Sequence, residues 1–155
     1  MALQNGKHLY QILLAEDSAA DVGLVRMALR NLSFDYALHV AEDGAKAIAF
    51  IMEIDKNSKS RGLDLLLLDM HLPKRDGEEI LRALRSTERC AQTPVVVLTS
   101  SDAPRDKETA QKHAAYDYFK KPSQLSDFLK LGTLVHDILS RCPPGDPNNP
   151  EADAA

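Results

Sequence analysis

The 155 residues predict a single domain, and a net charge of −4 from 19 Lys and Arg against 23 Asp and Glu argues against general attraction to nucleic acid or anionic membrane. The chain is 44% apolar and 27% charged with both signs interspersed, which supports a folded core and excludes wholesale disorder. Aliphatic runs such as Leu65 to Leu68 fall far short of the roughly 18 apolar residues that span a bilayer. The apolar stretch near the amino terminus is cut short by Glu16 and Asp17, unlike a secretory signal, so a cytoplasmic location is the expectation. Cys90 and Cys142 lie far apart with no second Cys or His at metal spacing, and both read as incidental thiols.

Short β-type runs alternate with longer segments of helical period, the pattern of a parallel sheet with crossover helices. Tyr10 to Ala15 is the first predicted strand. Val22, Val25, Ala28, Leu29 and Leu32 then mark one face of a helix capped by Ser18. Tyr36 to Val40 is a second strand, followed from about Ala45 by a helix that buries Ile48, Ala49, Ile51 and Met52. Lys56, Lys59 and Arg61 belong to a polar loop read as solvated surface. Leu65 to Leu68 lacks alternation, as a strand buried on both faces does, and ends at Asp69. Ile80, Leu81 and Leu84 mark the third helix beyond a Pro73 to Gly77 turn. Pro94 to Leu98 is another buried strand, ending at Thr99. The helix from Ala103 to Ala114 has few large apolar residues and is expected to be loosely held and able to shift. Tyr116 to Phe119 forms a fifth strand. A last helix capped by Ser123 carries Leu125, Phe128, Leu129, Val135, Ile138 and Leu139 in one stripe, with Gly132 as a weak point. Residues 1–8 are expected to be an extension, 9–142 the domain and 143–155 a disordered Pro-rich tail.

Five strands and five helices in this order predict an open, doubly wound sheet, whose functional crevice lies beyond the carboxyl ends of the strands. The first strand ends in Glu16-Asp17, the third in Asp69, the fourth in Thr99 and the fifth in Lys120-Lys121-Pro122. Three converging carboxylates repel one another unless a hard divalent cation compensates them, and Mg2+ suits such oxygen donors. A lysine opposite them supplies a counter-charge for a phosphoryl oxygen, and Thr99 can donate to another. This set of groups suits phosphoryl transfer to a carboxylate.

Glu16-Asp17, Leu68-Asp69-Met70-His71-Leu72-Pro73 with Asp76-Gly77, Thr99-Ser100 and Tyr118-Phe119-Lys120-Lys121-Pro122 together resemble the receiver domain of two-component response regulators. The likeness covers Leu9 to Arg141. The Leu72-Pro73-Lys74-Arg75-Asp76-Gly77 turn, the long polar loop before the third strand and Lys121-Pro122-Ser123 further resemble the small stand-alone regulators that serve bacterial and cyanobacterial phytochromes. The resemblance implies a flavodoxin-like α/β fold with a five-stranded sheet of order 2-1-3-4-5 and five helices. It makes Asp69 the phosphoacceptor. It implies Mg2+ held by Glu16, Asp17, Asp69 and the His71 backbone carbonyl, with Thr99 and Lys121 binding the phosphoryl group and Thr99 and Tyr118 acting as the switch. His71 and Ser101 are the candidates for tuning dephosphorylation. The implied partner is a sensor histidine kinase or histidine phosphotransfer protein, docking over Ala19, Asp21, Val22 and Pro122 to Gln124. Self-association through the fourth helix, fifth strand and fifth helix is also expected, without direct nucleic-acid or membrane binding. Such a protein signals rather than acting as an enzyme, beyond assisting its own phosphorylation and slow dephosphorylation.

Simpler readings stand beside these. Asp69 could merely start a turn, Thr99 fill a strand and Tyr118 pack at an edge. Lys120 points away from Lys121 by strand alternation and reads as surface charge guarding an edge. A hydrolase of the haloacid-dehalogenase type would want a second Asp where His71 stands. A flavin-binding flavodoxin would want a Ser/Thr/Gly-rich loop where Glu16 and Asp17 stand, and a degenerate receiver acting as a scaffold would lack groups that are present here.

Overall fold

Alternating apolar side chains on β1 (Tyr10–Ala15) and the unbroken leucines of β3 (Leu65–Leu68) require cover on both faces, and the chain supplies it with helices. A computed structural model describes residues 8–57, 59, 62–100 and 102–141. The remaining elements are α1 (Ala19–Leu29), β2 (Tyr36–Ala41), α2 (Gly44–Lys56), α3 (Gly77–Arg85), β4 (Val95–Thr99), α4 (Pro104–Lys112), β5 (Asp117–Lys120), α5 (Leu125–Phe128) and α6 (Lys130–Arg141). All strand pairs are parallel and the order is β2-β1-β3-β4-β5, the doubly wound arrangement expected. α5 and α6 are one helical arm interrupted only at Leu129, so the five-helix plan holds.

The period-two geometry of the strands divides the core in two. Leu13, Leu66, Leu68, Val95 and Val97 face α2 and α3, where Ala47, Ile51, Ile80, Leu81 and Leu84 meet them. Ile12, Leu14, Leu65, Leu67, Val96 and Leu98 face the other way, against Val25 and Leu29 of α1 and Phe128, Leu131, Val135 and Ile138 of the last arm. Each fully buried leucine contributes about 1.5 to 3 kcal/mol by leaving water, which anchors β3 along its whole length.

The helix starts are built from side-chain caps. Ser18 Oγ accepts from the Asp21 amide at 3.2 Å, Asp43 from the Lys46 amide at 2.8 Å, and Asp76 forms a reciprocal capping box with Glu79. At the last arm the expected Ser123 cap is replaced: Gln124 occupies the N-cap position, and its side chain makes no capping bond. The apolar stripe expected there also needs correcting. Leu125 and Leu129 are exposed, while Leu131 takes a buried place, because the interruption at Leu129 resets the helical phase. Gly132 is no weak point: a Cβ there would lie 2.2 Å from the Ala28 carbonyl oxygen, so glycine is what lets α6 approach α1. On α2, Ala49 faces solvent and Ala47 is buried in its place. β5 starts one residue later than expected, leaving Tyr116 exposed although its amide still bonds the Val95 carbonyl at 2.7 Å.

α4 buries only Ala110 among its nine residues, as its composition implied. Its carboxyl end is fixed by the Arg85 guanidinium, which donates to the carbonyls of His113 at 2.9 Å and Ala114 at 3.1 Å, and also to Ala91 and Thr93. The Cys90 thiol is buried, which pushes its pKa up and leaves it unreactive. Cys142, Arg61, the expected tail and residues 1–7 of the expected extension lie outside the described residues. His8 bonds Asp64 at 3.0 Å.

Candidate functional site

Glu16 and Asp17 sit where β1 ends, and Asp69 sits where the adjacent β3 ends. Pairing between the strands carries this alignment forward, because the Asp69 amide donates to the Ala15 carbonyl at 3.0 Å. One carboxylate oxygen from each of the three residues lies within 4.8 Å of the others. Glu16 is buried, Asp17 is exposed and Asp69 is 9% exposed, so the cluster has a dry floor and an open side. The loop beyond Asp69 is anchored by buried Met70 and Leu72. A Cβ at Gly77 would meet Met70 Sδ at 2.6 Å, so glycine there permits the loop to fold against α3.

Lys121 completes the cluster. Its amide bonds the Thr99 carbonyl at 2.8 Å, extending the β4–β5 pairing, and its ammonium reaches Glu16 and Asp21 at 2.7 Å each and Asp69 at 3.4 Å. Burial works against the charged ammonium, but the hydrogen bonds to Asp21 and Glu16 outweigh it and hold Lys121 above the ordinary lysine range. Burial pushes the Glu16 carboxyl up as well, opposed by the hydrogen bond and charge of Lys121. A divalent cation fits this donor set: three carboxylate oxygens converge, and burial of Glu16 opposes its charge while Lys121 supports it.

Thr99 is 1% exposed at the end of β4. Tyr118 is half-buried against the α2–α3 core, and the Lys107 ammonium lies 5.8 Å from the centre of its ring, within cation–π range. Lys120 does point away from the carboxylates, as strand alternation required, and pairs with Asp102. The His71 amide donates to Asp69 Oδ1 at 3.0 Å, and its exposed ring meets Asp106 of α4 at 2.7 Å. Ser101 lies outside the described residues.

Two partners were missed in the sequence. Asp21 was read only as a docking contact, yet it shares Lys121. Its signal was its place three residues after the Ser18 cap, in the first turn of a helix that starts at the site. Asp106 gave no signal, since its meeting with His71 joins residues 35 apart across a loop and a helix.

The profile of the response regulator receiver domain matches residues 12–131. The chain belongs to the response regulator receiver domain family. Response regulator Rcp1 of Synechocystis sp. is 36% identical over 120 residues, covering 77% of this chain and 82% of Rcp1. The transcriptional regulatory protein TrcR of Mycobacterium tuberculosis is 39% identical over 119 residues, but the match spans 42% of its length. Among solved structures, the phosphorylated cyanobacterial phytochrome response regulator RcpA superposes with a TM-score of 0.79 at 28% identity, over 90% of this chain and all (100%) of RcpA. The Mn2+-bound form of Rcp1 gives 0.71 at 35% identity, over 84% of this chain and 92% of Rcp1. This receiver domain therefore has relatives that include a phytochrome response regulator solved in its phosphorylated form and a response regulator solved with a divalent metal. Among the described residues no helix is long and apolar enough to cross a membrane.

Proposed function

We propose that the chain is a phosphoacceptor response regulator in which Asp69 takes a phosphoryl group from a histidine kinase or histidine phosphotransfer protein. The observation that carries this reading is the convergence of Asp69 with Glu16, Asp17 and the Lys121 ammonium at the ends of three strands. An Asp69 carboxylate oxygen attacks phosphorus, the P–N bond to the donor imidazole breaks, and the imidazole, already protonated at its other ring nitrogen, leaves as the neutral ring. Glu16, Asp17, Asp69 and the His71 carbonyl are the residues that would hold Mg2+. When bound, Mg2+ supplies positive charge that offsets the carboxylates and the transferring phosphoryl oxygens. Lys121 then pairs with the phosphoryl group and Thr99 donates its hydroxyl to it.

Thr99 and Tyr118 form the switch: as Thr99 turns toward the phosphoryl group, Tyr118 moves in behind it and reshapes the face of α4, β5 and the α5–α6 arm. Full reversal of such an equilibrium needs about 5.5 kcal/mol of differential contact. Two or three hydrogen bonds to charged groups, at about 1.5 to 3 kcal/mol each, supply it. The sparse packing of α4 supports its being the element that shifts, and that face is the one proposed for self-association. His71, over the open side of the cluster, and Ser101 tune the approach of water to the acyl phosphate.

Docking of the phosphodonor over α1 and the β5–α5 turn is supported by exposed Ala19, Ser123 and Gln124 beside the site. A groove of about 400 Å³ lies farther along the same side, between α1 and α6, with Met27 and Leu129 exposed along it. The likeness to the phytochrome response regulator RcpA supports a phytochrome-type kinase as the partner, and a cytoplasmic location belongs to the same reading.

Incubation with acetyl phosphate and Mg2+, followed by intact mass, tests the reading. The wild type should gain one phosphoryl group, should gain none when the metal is chelated before loading, and Asp69→Asn should gain none. Steady phosphate release from simple monoesters without an adduct would favour a hydrolase instead. The same samples should show a larger hydrodynamic mass after phosphorylation, and an unchanged monomer in both states would remove the self-association.

A further inference from the structure

The Lys121 ammonium is shared by three carboxylates, and one of them, Asp21, belongs to neither the metal-type cluster nor the acceptor. We infer that Asp21 is a positioning residue that restrains Lys121 and so weakens the hold of the site on a phosphoryl group. This rests on the proposed role of Asp69 as phosphoacceptor.

The geometry builds the restraint from local chemistry. Ser18 caps α1 by accepting from the Asp21 amide, which fixes Asp21 in the first turn, directly beyond the end of β1. From there its carboxylate accepts from Lys121 at 2.7 Å, as short as the Glu16 contact and shorter than the 3.4 Å separation to Asp69. An ammonium has three N–H donors, and the three carboxylates claim all of them. The Lys121 backbone is pinned by its amide bond to Thr99, so only the side chain is free to redirect a donor. A phosphoryl oxygen on Asp69 gains the full charge of Lys121 only as the ammonium turns away from a short-range partner. Glu16 is buried and has no solvent to replace the lysine, whereas the Asp21 side chain is 26% exposed, so water can take over its lost bond. Asp21 is therefore the partner that is given up, and its attraction for Lys121 opposes phosphoryl retention.

Beryllofluoride at saturating Mg2+ serves as the phosphoryl stand-in, with the bound 19F resonance reporting affinity in wild type, Asp21→Asn and Asp21→Glu. Asp21→Asn should bind about two- to tenfold more tightly, the range of one net hydrogen-bond exchange. Asp21→Glu, which keeps a carboxylate in the turn, should return to within about twofold of wild type. The Lys121 ammonium 15N resonance should move in Asp21→Asn before any ligand is added. Equal or weaker binding by Asp21→Asn, or an Asp21→Glu that behaves like Asp21→Asn, would overturn the restraint while leaving the phosphoacceptor reading intact. No binding by wild type would overturn that reading and the restraint with it. Should Asp21→Asn fail to fold, as judged by its thermal transition, Asp21→Ser provides the same comparison.

Discussion

Asp43 shows how one carboxylate can serve structure close to a site without joining it. Its side chain caps α2 through the Lys46 amide and also meets the Lys74 ammonium at 3.5 Å, tying the loop after Asp69 to the start of that helix. The backbone hydrogen bond, aided by the lysine charges, holds its carboxyl below the usual value. A depressed carboxylate contributes stability above its unfolded-state pKa and loses it as pH falls through the folded value. The thermal midpoint of wild type should therefore exceed that of Asp43→Asn near neutrality, and the gap should close below about pH 4. Parallel pH curves for the two proteins would contradict this role. Residues like Asp69, Glu16, Asp17 and Lys121 were legible in the sequence because a parallel strand delivers its last residue to a known edge. Asp21 and Asp106 were not, because where a helical side chain reaches depends on how the helix axis lies across the sheet, which no local pattern encodes.

At the scale of elements, the strands were readable to within about a residue because their apolar runs have no competing period. The last helical arm was less so. Ser123 looked like a cap, yet the helix starts beyond it at Leu125, which is exposed at its first position, as is Leu129 at the interruption. Gly132 was misjudged for a related reason: helix propensity describes an isolated helix, whereas its Cα faces the Ala28 carbonyl of α1. Gly132→Ala sets the two effects against each other. Alanine gains about 1 kcal/mol of helix propensity, and forced overpacking costs about 1 to 3 kcal/mol. With a contact of 2.2 Å to backbone, the clash should win, and thermal unfolding should show a midpoint lower by a few degrees. A raised midpoint would show that α6 can slide without cost.

For the whole molecule, the two separate cores would let the proposed change at the strand ends reach a distant face without unfolding the protein. β1 and β3 are anchored on both sides, whereas α4 contributes one buried alanine and is held mainly at its carboxyl end by Arg85. The amino-terminal end of α4 meets the site through the His71–Asp106 contact, so a rearranged loop beyond Asp69 has a direct handle on the least anchored helix. That division of rigidity is set by composition, which is why the looseness of α4 was legible while its handle was not. The central claim is that Asp69 carries the phosphoryl group as an acyl phosphate. Borohydride reduces an acyl phosphate to an alcohol, so reduction after loading with acetyl phosphate and Mg2+, then peptide mass mapping, should find residue 69 converted to homoserine and every other aspartate intact. Conversion at Asp17 or Asp21, or a stable phosphoryl group on a hydroxyl side chain with residue 69 unchanged, would contradict it.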